Sequence, residues 1–187
     1  MSDTITLYTQ QAQVVLDTIE RDGFSRVRWE YIQSKYGEDS WAFRQAYAFF
    51  AQTAPSIVAP PEGAESGIWC YCDQRWAVAA AGGYLLRLEV PRSNAVLFDL
   101  RIWNRMLNLQ YVGKDEADEE AFEAKLANMG IKNAAEAFST SFYPTVKREI
   151  QQSWQRLYQA TDEIPETYVM AGLWELRSEW LVDTMGV

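Results

Sequence analysis

A chain of 187 residues, nearly half of them apolar and including eight Trp, ten Tyr and eight Phe, can bury a substantial core and is too apolar for intrinsic disorder. The formal net charge of −9 argues against binding double-stranded nucleic acid, whose phosphates call for Lys and Arg. No histidine is present, which removes the commonest general base, the commonest metal ligand and every Ser-His or Cys-His nucleophile pair.

In chain order, residues 5–8 read as a first strand. Thr9 is placed to cap a helix over 10–21, with Ala12, Val15, Leu16 and Ile19 on one face and Gly23 just past its end. Residues 25–36 are mixed, with Val27, Trp29 and Ile32 as core members. Asp39 or Ser40 opens a second helix that carries Trp41, Phe43, Tyr47 and Phe50 and stops before Pro55. Residues 55–67, with Pro60, Pro61 and Gly63, form an exposed loop.

A strand follows over 68–72. Period 2 places the thiols of Cys70 and Cys72 on one face of it. Two ligands without a histidine do not make a zinc site, and a disulfide across one residue would be strained, so both read as reduced structural thiols. Gly82-Gly83 turns the chain into a strand over 84–90, where Leu86, Leu88 and Val90 point one way and Leu85, Arg87 and Glu89 the other. Arg87 and Glu89 form a surface ion pair worth little. Beyond Pro91 come a short strand at 96–99 and a helix over 100–109 with Trp103 and Asn108.

Residues 115–123 carry six acids and no base, leading into Phe122 and Leu126 with Gly130 as the stop. This is a solvated helix face with its acids at the positive end of the dipole. Pro144 starts a helix through Tyr158 whose Val146, Ile150, Trp154 and Leu157 make one apolar stripe. Residues 168–176 alternate as a late strand, followed by 180–182.

Short strands interleaved irregularly with helices predict one α+β domain over residues 1–187, a mixed or antiparallel sheet flanked by helices. Gly82-Gly83 lacks the flanking glycines and lysine of a phosphate loop. Asp3, Thr4 and Thr6 interrupt any apolar leader, and the small residues of 77–86 are too few and Gly-broken to span a bilayer, so a cytoplasmic protein without membrane contact is expected.

Asp99, Asn108, Ser153 and Arg156 are polar residues inside apolar patterns. An internal network is expected, Asp99 with Arg156 and Asn108 with backbone. The alternative is a polar-lined pocket among them and Thr9 and Gln11. Trp69, Trp103, Trp154 and Trp174 are either core or the walls of a stacking cleft. On the cleft reading the candidate ligand-binding residues are Tyr8, Thr9, Gln11, Trp69, Asp99, Trp103, Asn108, Ser153 and Arg156.

Several segments together resemble an uncharacterised bacterial domain-of-unknown-function family, also seen in viruses. Leu7-Tyr8-Thr9-Gln10-Gln11 stands where members begin with a Leu-Trp-Thr-Ile-Gln-like strand, and Ile68-Trp69-Cys70-Tyr71 where they have Pro-Ile-Trp-Ala-Trp. Leu88-Glu89-Val90-Pro91, Val96-Leu97-Phe98-Asp99, Trp103 and Leu107-Asn108 follow in the family's order. Ser153-Trp154-Gln155-Arg156-Leu157-Tyr158 and Met170-Ala171-Gly172-Leu173-Trp174 complete the set. Two positions depart from it: Asn104 replaces a His, and Met170 replaces the Gln of the last strand. The resemblance implies a bacterial or viral setting and no assigned activity.

A more distant analogy, at the level of element order only, is to ADP-ribosyltransferase domains. These cleave NAD with an Arg or His on a first strand, a Ser, Thr or Tyr on a middle strand and a Glu on a late one. Here the first position falls near Tyr8 and the last near Met170, with Glu175 displaced along the strand. Two functions follow as expectations. The preferred one is a non-catalytic binding or interaction protein without cofactor, taking a nucleotide-like small ligand in an aromatic cleft or a basic protein partner on its acidic surface, in a bacterial defence or phage counter-defence setting. The alternative is an NAD-using transferase of unusual or degenerate site.

Overall fold

The computed structural model describes residues 3–37, 40–77, 82–159 and 163–186. β1 (Thr4–Gln11) is longer than the sequence pattern suggests, because its last residues Gln10 and Gln11 stay paired with Leu85 and Tyr84. Thr9 is therefore a strand residue and not a helix cap. α1 (Gln13–Asp22) starts after Ala12, which supplies no side-chain cap. It ends as expected at Gly23, whose φ of 79° is the left-handed conformation glycine favours and whose N–H donates to the Ile19 carbonyl.

β2 (Phe24–Ser25) and α2 (Trp29–Tyr36) follow, with Ile32 buried and Val27 and Trp29 half-buried. α3 (Ser40–Thr53) sends Phe50 and Tyr47 inward but leaves Trp41 exposed, and the helix start assigned to Asp39 lies outside the described residues. The loop after it is not exposed throughout: Ser66 is fully buried and bridges to Val27. β3 (Ile68–Tyr71), α4 (Gln74–Ala77), β4 (Tyr84–Pro91), β5 (Val96–Asp99) and α5 (Leu100–Leu107) come next.

The second half is mainly helical. It contains α6 (Glu116–Asn128), α7 (Glu136–Ser139) and α8 (Pro144–Ser153). The helix expected through Tyr158 tightens to a 3-10 helix over Trp154–Tyr158. The expected late strand divides. β6 (Val169–Leu173) stays in the main sheet, whereas β7 (Leu176–Arg177) pairs with β2 in a separate two-stranded sheet before β8 (Leu181–Gly186) returns.

The main sheet has the order β5-β6-β3-β1-β4-β8, and its strand pairs are antiparallel. The chain is thus α+β, with helices against the sheet. One core cluster joins β5 and β6 to α3, α5 and α8 through Phe50, Phe98, Trp103, Ile150 and Met170. A second gathers Leu7, Leu86, Leu88 and Val90 with Ile19 of α1 and Trp180. Each such side chain contributes about 1.5–3 kcal/mol by leaving water. Gly172 on β6 is required by this packing, since a Cβ there would sit 2.3 Å from the Phe50 ring. No helix among the described residues is long and apolar enough to cross a membrane.

Candidate functional site

β1 is held very differently on its two sides. Towards β4 it pairs at every residue from Thr4 to Gln11. Towards β3 it is in register only at Tyr8↔Tyr71. Beyond that pair the seam opens, and the Thr9 hydroxyl spans it by donating to the Trp69 carbonyl at 2.9 Å. A cleft of about 360 Å³ occupies the opening, within the usual size of small-molecule sites.

Three of the sequence-predicted residues, Thr9, Gln11 and Trp69, meet in this cleft. Its other aromatic walls are Tyr31 of α2, Tyr47 of α3, Tyr71 of β3 and Trp76 of α4. Trp69 and Tyr71 share a face of β3 because they are two apart on a strand. The Trp69 ring lies 5.0 Å from Tyr47 and 4.4 Å from Trp103 behind it, which fixes its orientation. Gly67 makes room for that ring, since a Cβ there would lie 2.7 Å from it. None of the described residues lining the cleft carries a charge.

Trp76 is 45% exposed yet fixed. Its indole N–H donates to the Thr167 carbonyl at 2.8 Å, and its ring lies 6.3 Å from Tyr168. The short helix that carries it is latched through Asp73. Arg75 donates to that carboxylate from its guanidinium at 2.6 Å and from its backbone N–H at 2.9 Å, and the Thr167 hydroxyl donates at 2.8 Å. These bonds, the Arg75 guanidinium first, hold the Asp73 carboxyl well below the usual carboxylate range.

The remaining predicted residues go elsewhere. Asp99 does not meet Arg156; it caps α5, accepting the Arg101 N–H at 2.8 Å and the Arg101 guanidinium at 2.6 Å. Its position directly before the helix turns the carboxylate onto the free N–H groups of the first turn. Arg156 instead donates to the Val112 carbonyl at 2.7 Å, while Ser153 accepts the Val112 N–H and donates to Ile150. Both residues tie down the chain that follows α5. Asn108 is exposed and donates to the Asn104 carbonyl. Trp103 is 2% exposed and belongs to the core, as do Trp154 and Trp174.

Tyr8 lies across the seam from Tyr71 and lines a different groove with Arg87, Arg92, Glu166 and Cys72. Burial, reinforced by the Glu166 charge and opposed by Arg92, pushes the Cys72 thiol up to about 11. Burial also raises the Cys70 thiol well above its ordinary value, against the smaller pull of the Thr9 hydroxyl. Glu175 is buried and held by Arg26 at 2.7 Å and Arg177 at 2.6 Å. Met170, at the late-strand position, is 1% exposed in the core. The acid run is partly consumed at home, Asp115 capping α6, Asp118 accepting from Tyr111 and Glu119 pairing with Arg105. Among the described residues no group of three or more His, Cys, Asp or Glu stands where it could hold a metal ion.

Sequence reasoning missed Tyr31, Tyr47, Tyr71 and Trp76. A signal existed for Tyr71, which sits two residues after Trp69 on one strand. The chain matches no curated protein and no solved structure. Residues 6–182, nearly the whole chain, match the family described as Domain of unknown function (DUF3841). This agrees with the segments around β1, β3, β4 and β5 that carry the resemblance, and the chain belongs to that family.

Proposed function

We propose that this protein is a non-catalytic binding module whose cleft takes a flat, uncharged ring such as a nucleobase. The observation that carries the reading is the lining itself: five aromatic side chains, Tyr31, Tyr47, Trp69, Tyr71 and Trp76, around an opening without a charged residue among those described. Aromatic walls stack on any planar π-system, whereas a phosphate in the cleft would be desolvated with no cation to receive it. Among the described residues the buried carboxylates, Asp99 and Glu175, are each neutralised by arginine outside the cleft.

The same observations weigh against NAD transfer. That chemistry draws on a carboxylate beside a developing oxocarbenium ion, and the late-strand position here is the buried Met170.

The test is titration of intrinsic tryptophan fluorescence with adenine, nicotinamide, adenosine, AMP and NAD. The uncharged compounds are expected to bind more tightly than AMP or NAD. Trp76→Ala and Tyr31→Ala, both at exposed positions, each weaken binding by about 0.5–1.5 kcal/mol with an unchanged far-ultraviolet circular dichroism spectrum. No saturable change with any compound at millimolar concentration would overturn the reading.

A further inference from the structure

The main sheet ends in two edge strands of opposite character. β5 is short, and three of its four residues are buried. β8 pairs with β4 and with no other described strand, and its residues from Val182 to Gly186 are all exposed. An edge strand turns alternate N–H and C=O groups outward, where a further strand can pair with them. Lysine or proline commonly blunts such an edge. β8 has neither, and it exposes Val182 and Met185. Its one charged residue is Asp183, whose carboxylate accepts the N–H of Thr184 at 2.8 Å. That N–H is therefore one of the outward groups, and the strand's own side chain occupies it.

We propose that β8 is a latent pairing edge for a second copy of this chain, and that Asp183 keeps it closed. Two copies of one strand, antiparallel about a two-fold axis, offer each other the same outward groups. Two registers give the longest overlap. Centred on Asp183, it meets the partner's Asp183 directly opposite, where like charges repel. Centred on Thr184, Asp183 lies opposite the partner's Met185, and the Thr184 N–H must leave its carboxylate before it can pair across the axis. In either register a carboxylate loses water and a donor and gains no cation. Arg87, opposite Asp183 on β4, faces Glu89 at 3.6 Å. Without the carboxylate both registers open, and Val182 and Met185 gain a neighbour. Because β5 is not an open edge, pairing closes at two copies. A contact of one strand pair is small, so the dimer is weak and concentration-dependent.

The experiment is sedimentation velocity of the full chain as wild type, Asp183→Ala and the double variant Asp183→Ala/Thr184→Pro, each checked by far-ultraviolet circular dichroism. The wild type is expected to stay at the one-chain mass of 21.5 kDa. Asp183→Ala should approach twice that mass as its concentration rises towards millimolar. The double variant should return to the one-chain mass, because proline removes an outward N–H and is tolerated on an edge strand. A wild-type dimer, an Asp183→Ala variant that stays single at millimolar concentration, assembly beyond two copies, or a double variant that still pairs overturns the inference. Should the double variant fail to fold, the contrast between wild type and Asp183→Ala decides alone.

Discussion

The two edges of β1 differ in what they are for. Its β4 edge is closed along eight residue pairs, with Leu7 buried beneath it; its β3 edge is closed at Tyr8↔Tyr71 alone and bridged by one hydroxyl. One strand thus serves as a structural rail on one side and as the wall of an opening on the other. Each strand flanking the gap is fully paired on its far side, β1 with β4 and β3 with β6, so the backbone groups there are satisfied by their outer neighbours.

Substitutions on the two edges should separate these roles. The largest effect is expected at Leu7→Ala, which removes a fully buried side chain from the closed side; urea unfolding should show a loss of about 2–5 kcal/mol. Thr9→Val, on the open side, leaves the Trp69 carbonyl without its partner, and the same melts should show about 1–2 kcal/mol. A Thr9→Val cost as large as that of Leu7→Ala would break the comparison.

Asp73→Asn sharpens it by loosening the latch on Trp76. Because the folded Asp73 is held below its unfolded value of about 4, its contribution to stability is full above that pH and fades as pH falls towards the folded value. The stability gap between wild type and Asp73→Asn is therefore expected to be widest at pH 7 and to shrink from pH 4 to pH 3 in urea melts. Acrylamide quenching at pH 7 should rise in the variant as the Trp76 ring is released.

A smaller change, and of opposite sign, is expected at Ser66, the residue before Gly67 of the cleft lining. Ser66 is fully buried, and its hydroxyl is without a hydrogen-bond partner among the described residues. Ser66→Ala removes that unpaired group and should raise stability by up to about 1 kcal/mol. Last, burial pushes the Cys72 thiol up to about 11, so it is held protonated at pH 8. Native protein should accordingly react with iodoacetamide far more slowly than the same chain in urea.

Much of the fold was legible because local rules and tertiary packing agree. Alternation in 84–90 gives β4, Gly23 ends α1, and Pro144 starts α8. The errors fall where tertiary partners outvote local propensity. Thr9 carries a good cap residue type, but pairing with Leu86 keeps it in the strand. The alternation of 168–176 hides a change of sheet at Trp174, which its own pattern does not mark. The site was half legible. Thr9, Gln11 and Trp69 stood in segments that meet across the seam, whereas Tyr31, Tyr47 and Trp76 enter it from three helices whose approach no local pattern encodes. Asp99 and Arg156 were both correctly read as needing partners, but each found one nearer in the chain.

The most direct test of the central claim, that the open β3 edge of β1 is a site for uncharged flat rings, is amide and indole chemical-shift mapping of isotope-labelled protein with adenine. Saturable shifts are expected, concentrated at Thr9, Gln11, Gly67, Trp69 and Trp76. Shifts confined to the groove of Arg87, Arg92 and Glu166, or none at millimolar adenine, would contradict it.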